Sequence, residues 1–195
     1  KYRKQPSAGD EHTGKKRRTK NTGNNVPSRK RRQSSLESDE DDSTSCVGLI
    51  SDTHGVLEDS ALEYLTSVKP GVILHSGDVG DKRPSRLKPD QLLQRLSDAF
   101  SAGDVPIVAC RGNVDDDLPK EKRAIELPPS ALHVHPRTGT RILVLHGDST
   151  PARIKNRNDG TLIVSEEAWR IIRHHNAQVV VYGHSHLIGC HEERK

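Results

Sequence analysis

Val47-Gly48-Leu49-Ile50 runs directly into Ser51-Asp52-Thr53-His54-Gly55, and the amphipathic stretch Leu57 to Leu65 follows. A short apolar run closed by a polar, glycine-ended turn and then a helical pattern reads as strand, loop, helix. The same ending recurs four times downstream. Val72-Ile73-Leu74-His75 runs into Ser76-Gly77-Asp78-Val79-Gly80-Asp81, and Val105 to Cys110 runs into Arg111-Gly112-Asn113-Val114-Asp115. Ile142 to Leu145 precedes His146-Gly147-Asp148, and Val179 to Tyr182 precedes Gly183-His184-Ser185-His186. Alternating strands and amphipathic helices, including Val164 to Ile172 around Trp169, predict an α/β fold.

In sheets built from βαβ units, ligands gather at the carboxyl ends of the strands, where loops and helix N-termini face one crevice. Residues far apart in sequence can meet there. Asp52, His54, Asp78, Asn113, His146, His184 and His186 supply carboxylate, imidazole and amide oxygen without a thiolate, a set suited to divalent cations that prefer oxygen and nitrogen. Mn²⁺ is the first expectation, with Fe²⁺, Zn²⁺, Ni²⁺ and Mg²⁺ also admissible. Two such ions about 3.5–4 Å apart can lower the pKa of a shared water and clamp a phosphate for in-line attack. Two carboxylates facing two dications leave the site positive, which favours an anionic phosphate ester.

The pieces LISDTHG, HSGDVGD, RGNVDDD, LHGD and YGHSH, in this order, resemble the calcineurin-like metallophosphoesterase superfamily, most closely its small YfcE-like phosphodiesterase branch. Each piece is weak alone; five in order are specific. The resemblance, spanning about Val47 to His186, implies two mixed β-sheets packed as a sandwich and flanked by helices. It also implies that Asp52, His54 and His186 hold one metal, that Asn113, His146 and His184 hold the other, and that Asp78 bridges them. The activity implied is hydrolysis of phosphodiester bonds, extending to phosphomonoesters, by a hydroxide activated between the two metals. The alternative is a protein-interaction scaffold like the retromer small subunit, which has this fold with an altered metal site. An intact His184-x-His186 pair argues against it.

Many superfamily members carry a histidine after the ligand asparagine, proposed to protonate the leaving group; here that residue is Val114. Valine can do neither that nor steady the transition state. Asp78, Asn113 and Asp115 are therefore the candidate catalytic residues, with Asp115 a carboxylate behind the ligands and the general acid unassigned. Without an acid, esters with good leaving groups should turn over best. His75, His133 and His135 lie in or beside strand-like runs and read as packing or surface residues, and His174 and His175 as cations near a helix C-terminus.

Composition divides the chain near Thr44. Residues 1–45 hold 12 Lys and Arg against 7 Asp and Glu, a net of +5, whereas the remaining 150 hold 19 and 20, a net of −1. The first 45 residues have almost no apolar side chains beyond Tyr2, Val26 and Leu36, so they read as a disordered tail, with one domain over 46–195. The near-neutral domain gives little grip on nucleic acid. In the tail, Lys15-Lys16-Arg17-Arg18 and Arg29-Lys30-Arg31-Arg32 resemble a bipartite nuclear-import signal, implying an import receptor as partner; a solvated polybasic tail is the equal alternative. Ser34 follows basic residues and Ser38 precedes acidic ones, patterns of kinase sites.

Cys46, Cys110 and Cys190 form no Cys-x-x-Cys spacing, which suggests reduced thiols in an intracellular protein, cytoplasmic or nuclear. No run approaches the ~18 apolar residues of a membrane span. The chain has no methionine, even at position 1, so a fragment or processed product is expected, with room for a targeting segment upstream. The family continues past its His-x-His loop with further strands, whereas Leu187 to Lys195 alone remain here, so an uncovered sheet edge is expected. Asp81 to Asp104 is longer than the family's usual spacer; Arg83, Arg86 and Lys88 there read as a solvated surface loop, with anion binding as the lesser alternative.

Overall fold

The computed structural model describes residues 46–100, 105–116, 125–148, 152–157, 159–186 and 190–192. The basic clusters, Ser34 and Ser38 of the expected tail lie outside the described residues, as does most of 187–195.

Strand β1 (Val47–Ile50) leads into α1 (Asp59–Val68), β2 (Val72–Ser76), α2 (Pro89–Asp98), β3 (Ile107–Cys110) and the single turn α3 (Asn113–Asp116). Then come β4 (Ser130–Val134), β5 (Arg141–Leu145), the short pair β6 (Ile154–Asn156) and β7 (Leu162–Val164), α4 (Glu166–His174) and β8 (Val179–Tyr182). Strands β1, β2 and β3 form a parallel sheet in that order. Strands β4, β5 and β8 form a mixed sheet, antiparallel between β4 and β5 and parallel between β5 and β8.

The two-residue period of the strands sorts their side chains into three layers. On β2, Val72 and Leu74 face Ile142 and Val144 of β5, with Cys110 between them, and this is the core between the sheets. Ile73 faces the other way, into a cluster with Leu65 of α1 and Leu92 and Leu96 of α2. Leu143 and Leu145 likewise turn from the sandwich toward Ala168 and Ile172 of α4 and Ile154 of β6. Helices thus cover both outer faces of a two-sheet sandwich, the architecture that the family resemblance implies. The core is aliphatic, as the 3% aromatic content requires; Phe100 is its one buried phenylalanine among the described residues.

Helix α2 fills part of Asp81 to Asp104, the stretch longer than the family's usual spacer. Pro89 sits at its first turn, where a missing N–H costs nothing, and the Lys88 N–H donates to the Gln91 side-chain oxygen at 2.9 Å. Leu92 and Leu96, one turn apart, are both fully buried. Each contributes about 1.5–3 kcal/mol by leaving water.

Among the described residues, one side of the sandwich is open to solvent. Leu49 pairs in register with Leu74 and so shares the inward face of its sheet, yet it is 56% exposed. Val179, on the inward face of β8, is 42% exposed, and β8 has no neighbour beyond β5 among the described residues. Among those residues, no helix is long and apolar enough to cross a membrane.

Candidate metal centre

Register brings the strand ends level. Ile50 pairs with His75, Ser76 with Cys110 and Leu145 with Tyr182, so the loops that follow β1, β2, β3, β5 and β8 open at one edge of the sandwich. Backbone bonds then join the loops themselves. The Asp52 N–H donates to the Gly77 carbonyl at 3.1 Å, the His54 N–H to the Asp78 carbonyl at 2.9 Å, and the Gly183 N–H to the His146 carbonyl at 3.1 Å.

Seven non-glycine residues have positive φ among those described, and five of them are Asp52, His54, Asp78, His184 and His186. Such conformations cost about 1–3 kcal/mol each and persist where surrounding structure enforces them, typically at functional sites. Three glycines make room. A Cβ on Gly77 would meet the His146 ring, one on Gly112 would overlap Asp78, and one on Gly183 would overlap Ser51 and Asp52.

The ligand atoms gather in two groups. Asp52, His54 and His186 each offer an atom within 4.8 Å of the others, and so do Asp52, Asp78 and His146. In the first, His186 Nε2 lies 3.3 Å from Asp52 Oδ1, and the His54 and His186 ring centroids are 5.5 Å apart. In the second, His146 Nε2 lies 3.3 Å from Asp78 Oδ2 and 3.2 Å from Asn113 Oδ1, with the His184 ring centroid 5.2 Å from that of His146. Asp78 reaches across to the first group, 3.9 Å from His54 Nε2.

The carboxylates are themselves oriented. The Val114 N–H donates to Asp78 Oδ1 at 2.8 Å, and the His184 N–H donates to both oxygens of Asp52, at 3.0 and 3.1 Å. Ser51 Oγ also donates to Asp52. On the imidazole side, His146 Nδ1 lies 2.8 Å from the Ser76 carbonyl, an acceptor only, so Nδ1 carries the proton of the neutral ring. Nε2 then presents a lone pair toward Asp78 Oδ2 and Asn113 Oδ1. Three acceptor atoms pointing at one another repel unless a cation stands between them, so this donor set fits a metal.

A proton can take part of that role. Burial lowers the His146 pKa, but hydrogen bonding and attraction from Asp78, with the Ser76 carbonyl, outweigh it and raise the ring to about 8. Burial likewise raises Asp78, and His146 together with the Val114 amide more than offsets this, holding the carboxyl below its usual range.

Asp115 does not join the ligand atoms. Its oxygens accept the N–H groups of Val79 at 3.1 Å, Gly80 at 2.9 Å and Gly112 at 2.9 Å, so it clamps the β2 loop to the β3 loop. Through these bonds it positions the two loops. Arg83 and Lys88 are engaged within their own loop. Arg83 pairs with Asp81 through its Nε at 2.9 Å, and Lys88 Nζ donates to the Asp81 carbonyl at 2.7 Å. This loop lies against the ligands, because the Leu87 N–H donates to the Gly55 carbonyl at 3.0 Å.

His75 escaped the sequence reading. It is fully buried, and its Nε2 lies 2.9 Å from the hydroxyl of Thr53, between two ligands. Its place three residues before Asp78, on a strand with no other polar side chain before Ser76, was the available signal. His133 and His135 remain in the β4 region away from these groups, and His174 and His175 end α4.

A search of curated proteins found no match. Among solved structures, the chain resembles vacuolar protein sorting 29 from Cryptosporidium parvum, with a TM-score of 0.51 and 17% identity over 75% of this chain and 68% of that one. At this identity the likeness speaks for the fold alone, a mixed α/β sandwich. The family comparison reaches further, since residues 46–195 match the calcineurin-like phosphoesterase superfamily domain. With that match over the same stretch that carries the strand-end ligands, the chain belongs to the calcineurin-like phosphoesterase superfamily.

Proposed function

We propose that the protein is a metal-dependent phosphoesterase that hydrolyses phosphodiester bonds, and phosphomonoesters to a lesser extent. One observation carries this reading: His146 Nε2 lies 3.3 Å from Asp78 Oδ2 and 3.2 Å from Asn113 Oδ1 while Nδ1 of the same ring is held by the Ser76 carbonyl. Asp52, His54 and His186 would hold one divalent cation, Asn113, His146 and His184 the second, and Asp78 would serve both. When bound, such a pair supplies a water of lowered pKa and positive charge for the phosphate.

The chain's own residues do the rest. Ser76, Val114 and His184 aim the ligands through backbone groups, and the glycines at 77, 112 and 183 let them approach. Val114 offers no proton, and Asp115 is engaged by three amides, so aryl diesters should be cleaved faster than alkyl ones. Mn²⁺ is the cation we favour, given a thiolate-free set that mixes carboxylate, amide oxygen and imidazole.

The second reading is a protein-interaction scaffold, favoured by the likeness to a protein named for vacuolar sorting. The complete set of ligand side chains weighs against it. Hydrolysis of bis(p-nitrophenyl) phosphate by metal-stripped protein, with Mn²⁺, Mg²⁺, Zn²⁺ or Ni²⁺ added back, separates the two. Cation-dependent cleavage that disappears in Asp78→Asn supports the hydrolase; folded, cation-loaded protein without turnover supports the scaffold.

A further inference from the structure

His75 belongs to neither ligand group, yet it is a fully buried imidazole on β2 beneath them. Its Nε2 is 2.9 Å from Thr53 Oγ1. The Thr53 hydroxyl has a single proton, and its 2.8 Å contact with the Val79 carbonyl takes it, with a longer reach of 3.4 Å to the Asp78 carbonyl. The hydroxyl oxygen is therefore the acceptor for His75, which fixes the Nε2–H tautomer. Burial pulls the His75 pKa down to about 4 against the attraction of Asp52, so the ring stays a neutral donor.

Packing alone does not call for imidazole here. His75 Nδ1 has no partner, and a buried acceptor left unmatched is costly, whereas leucine or phenylalanine would fill the space without that cost. What the imidazole N–H adds is a bond to Thr53, which stands between Asp52 and His54, both at positive φ. Val79, at the far end of the chain of bonds, follows Asp78.

We propose that His75 is a positioning residue for the metal centre: its N–H holds the Thr53 hydroxyl on the Val79 carbonyl and thereby fixes the Asp52-His54 loop relative to Asp78. This inference rests on the metal reading above and adds a residue that touches neither cation. Removing the donor frees the strained loop, so cation binding at Asp52, His54 and His186 weakens while the Asn113-His146 side keeps its ion.

The test uses the full chain as wild type, His75→Leu, His75→Gln, Thr53→Val and the Thr53→Val/His75→Leu double variant. Mn²⁺ titration calorimetry and the electron paramagnetic resonance of the loaded proteins are the readouts. Glutamine carries an amide N–H at about the reach of Nε2. We expect His75→Leu and Thr53→Val each to lose about 10–100-fold in affinity for the weaker ion, together with the spin-coupled dimanganese signal. The double variant should lose no more than either single one, and His75→Gln should restore the coupled signal.

Wild-type affinities in His75→Leu, additive losses in the double variant, or failure of glutamine to restore the signal would overturn the proposal. Nitrogen-15 spectra of the metal-free wild type give a check that needs no variant: an Nε2–H tautomer at His75 is expected, and an Nδ1–H tautomer overturns it. Wild type that binds no Mn²⁺ would sink the metal reading with it. Two ions bound by wild type and by every variant alike would sink this inference alone.

Discussion

The two ligand groups differ in how firmly the protein holds them. In the group around Asp78, Asp78 and His146 are buried and only Asn113 and His184 are exposed: His146 is 2% exposed, and each of its ring nitrogens faces an oxygen held by the fold. Around Asp52 the cluster opens to solvent, with the His186 side chain 62% exposed and held by a loop whose backbone turns through positive φ. A buried, pre-aimed pair such as Asp78 and His146 loses little entropy on binding, and its electrostatic attraction is less screened. The two groups should therefore bind cations unequally, tightly at His146 and Asp78 and more weakly at His186 and Asp52.

The largest effect should come from Asp78, the carboxylate proposed to serve both cations. Asp78→Asn removes that charge, and hydrolysis of the aryl diester should fall by on the order of 10³-fold, since several kcal/mol of transition-state stabilisation is at stake. A drop of less than tenfold would break the idea of a shared ligand. Next comes the direct contrast between the groups. His186→Ala should weaken only the looser ion, by about 10–100-fold, whereas His146→Ala should abolish the tighter one and leave Asp78 buried without its partner. Equal effects in calorimetry would erase the asymmetry.

Smaller still is the loss of the clamp between loops. Asp115→Ala strands three backbone N–H groups and should cost at least about 1–3 kcal/mol, visible as a Tm lowered by about 2–4 °C for each kcal/mol. Ion stoichiometry should survive it, because Asp115 touches no ligand atom.

Titration sharpens the comparison with the least change. The metal-free fold raises His146 to about 8, so the protonated ring stabilises the apo protein fully below pH of about 6.5, and that stabilisation is lost as the pH rises through 8. Cations need the neutral ring. Between those pH values the apo Tm should fall while the Tm increase on adding Mn²⁺ grows; a flat Mn²⁺ effect would contradict the assignment. His75, pulled to about 4, takes no part in this range.

Much of the site was legible because each ligand ends an apolar run. Val47–Ile50 and Val179–Tyr182 are bounded by turn residues, and both strands fall on those runs to the residue. The sandwich was legible only through the family resemblance. Val72-Ile73-Leu74 is apolar throughout, so nothing in it tells which side chain meets the other sheet and which meets the helices. Helix α2 carries Leu92 and Leu96 one turn apart behind a proline, but among polar and charged neighbours the pattern is too sparse to mark an element. The pair β6 and β7 spans three residues each, too short for any period to register. Asp115 and His75 were out of reach in another way. A carboxylate beside a ligand and a histidine in a strand look alike in sequence whether they face a metal, an amide or a hydroxyl; only the partners tell, and the deciding ones are distant in sequence, Thr53 lying 22 residues from His75 and Gly80 35 from Asp115.

The central claim is that two unequal cation sites share Asp78, and calorimetric titration of the metal-free protein with Mn²⁺ at pH of about 8 tests it most directly. Two ions per chain should bind in two separable steps, with the weaker step alone shifted by about 10–100-fold in His186→Ala. A single ion, or no binding by a folded protein, would contradict it.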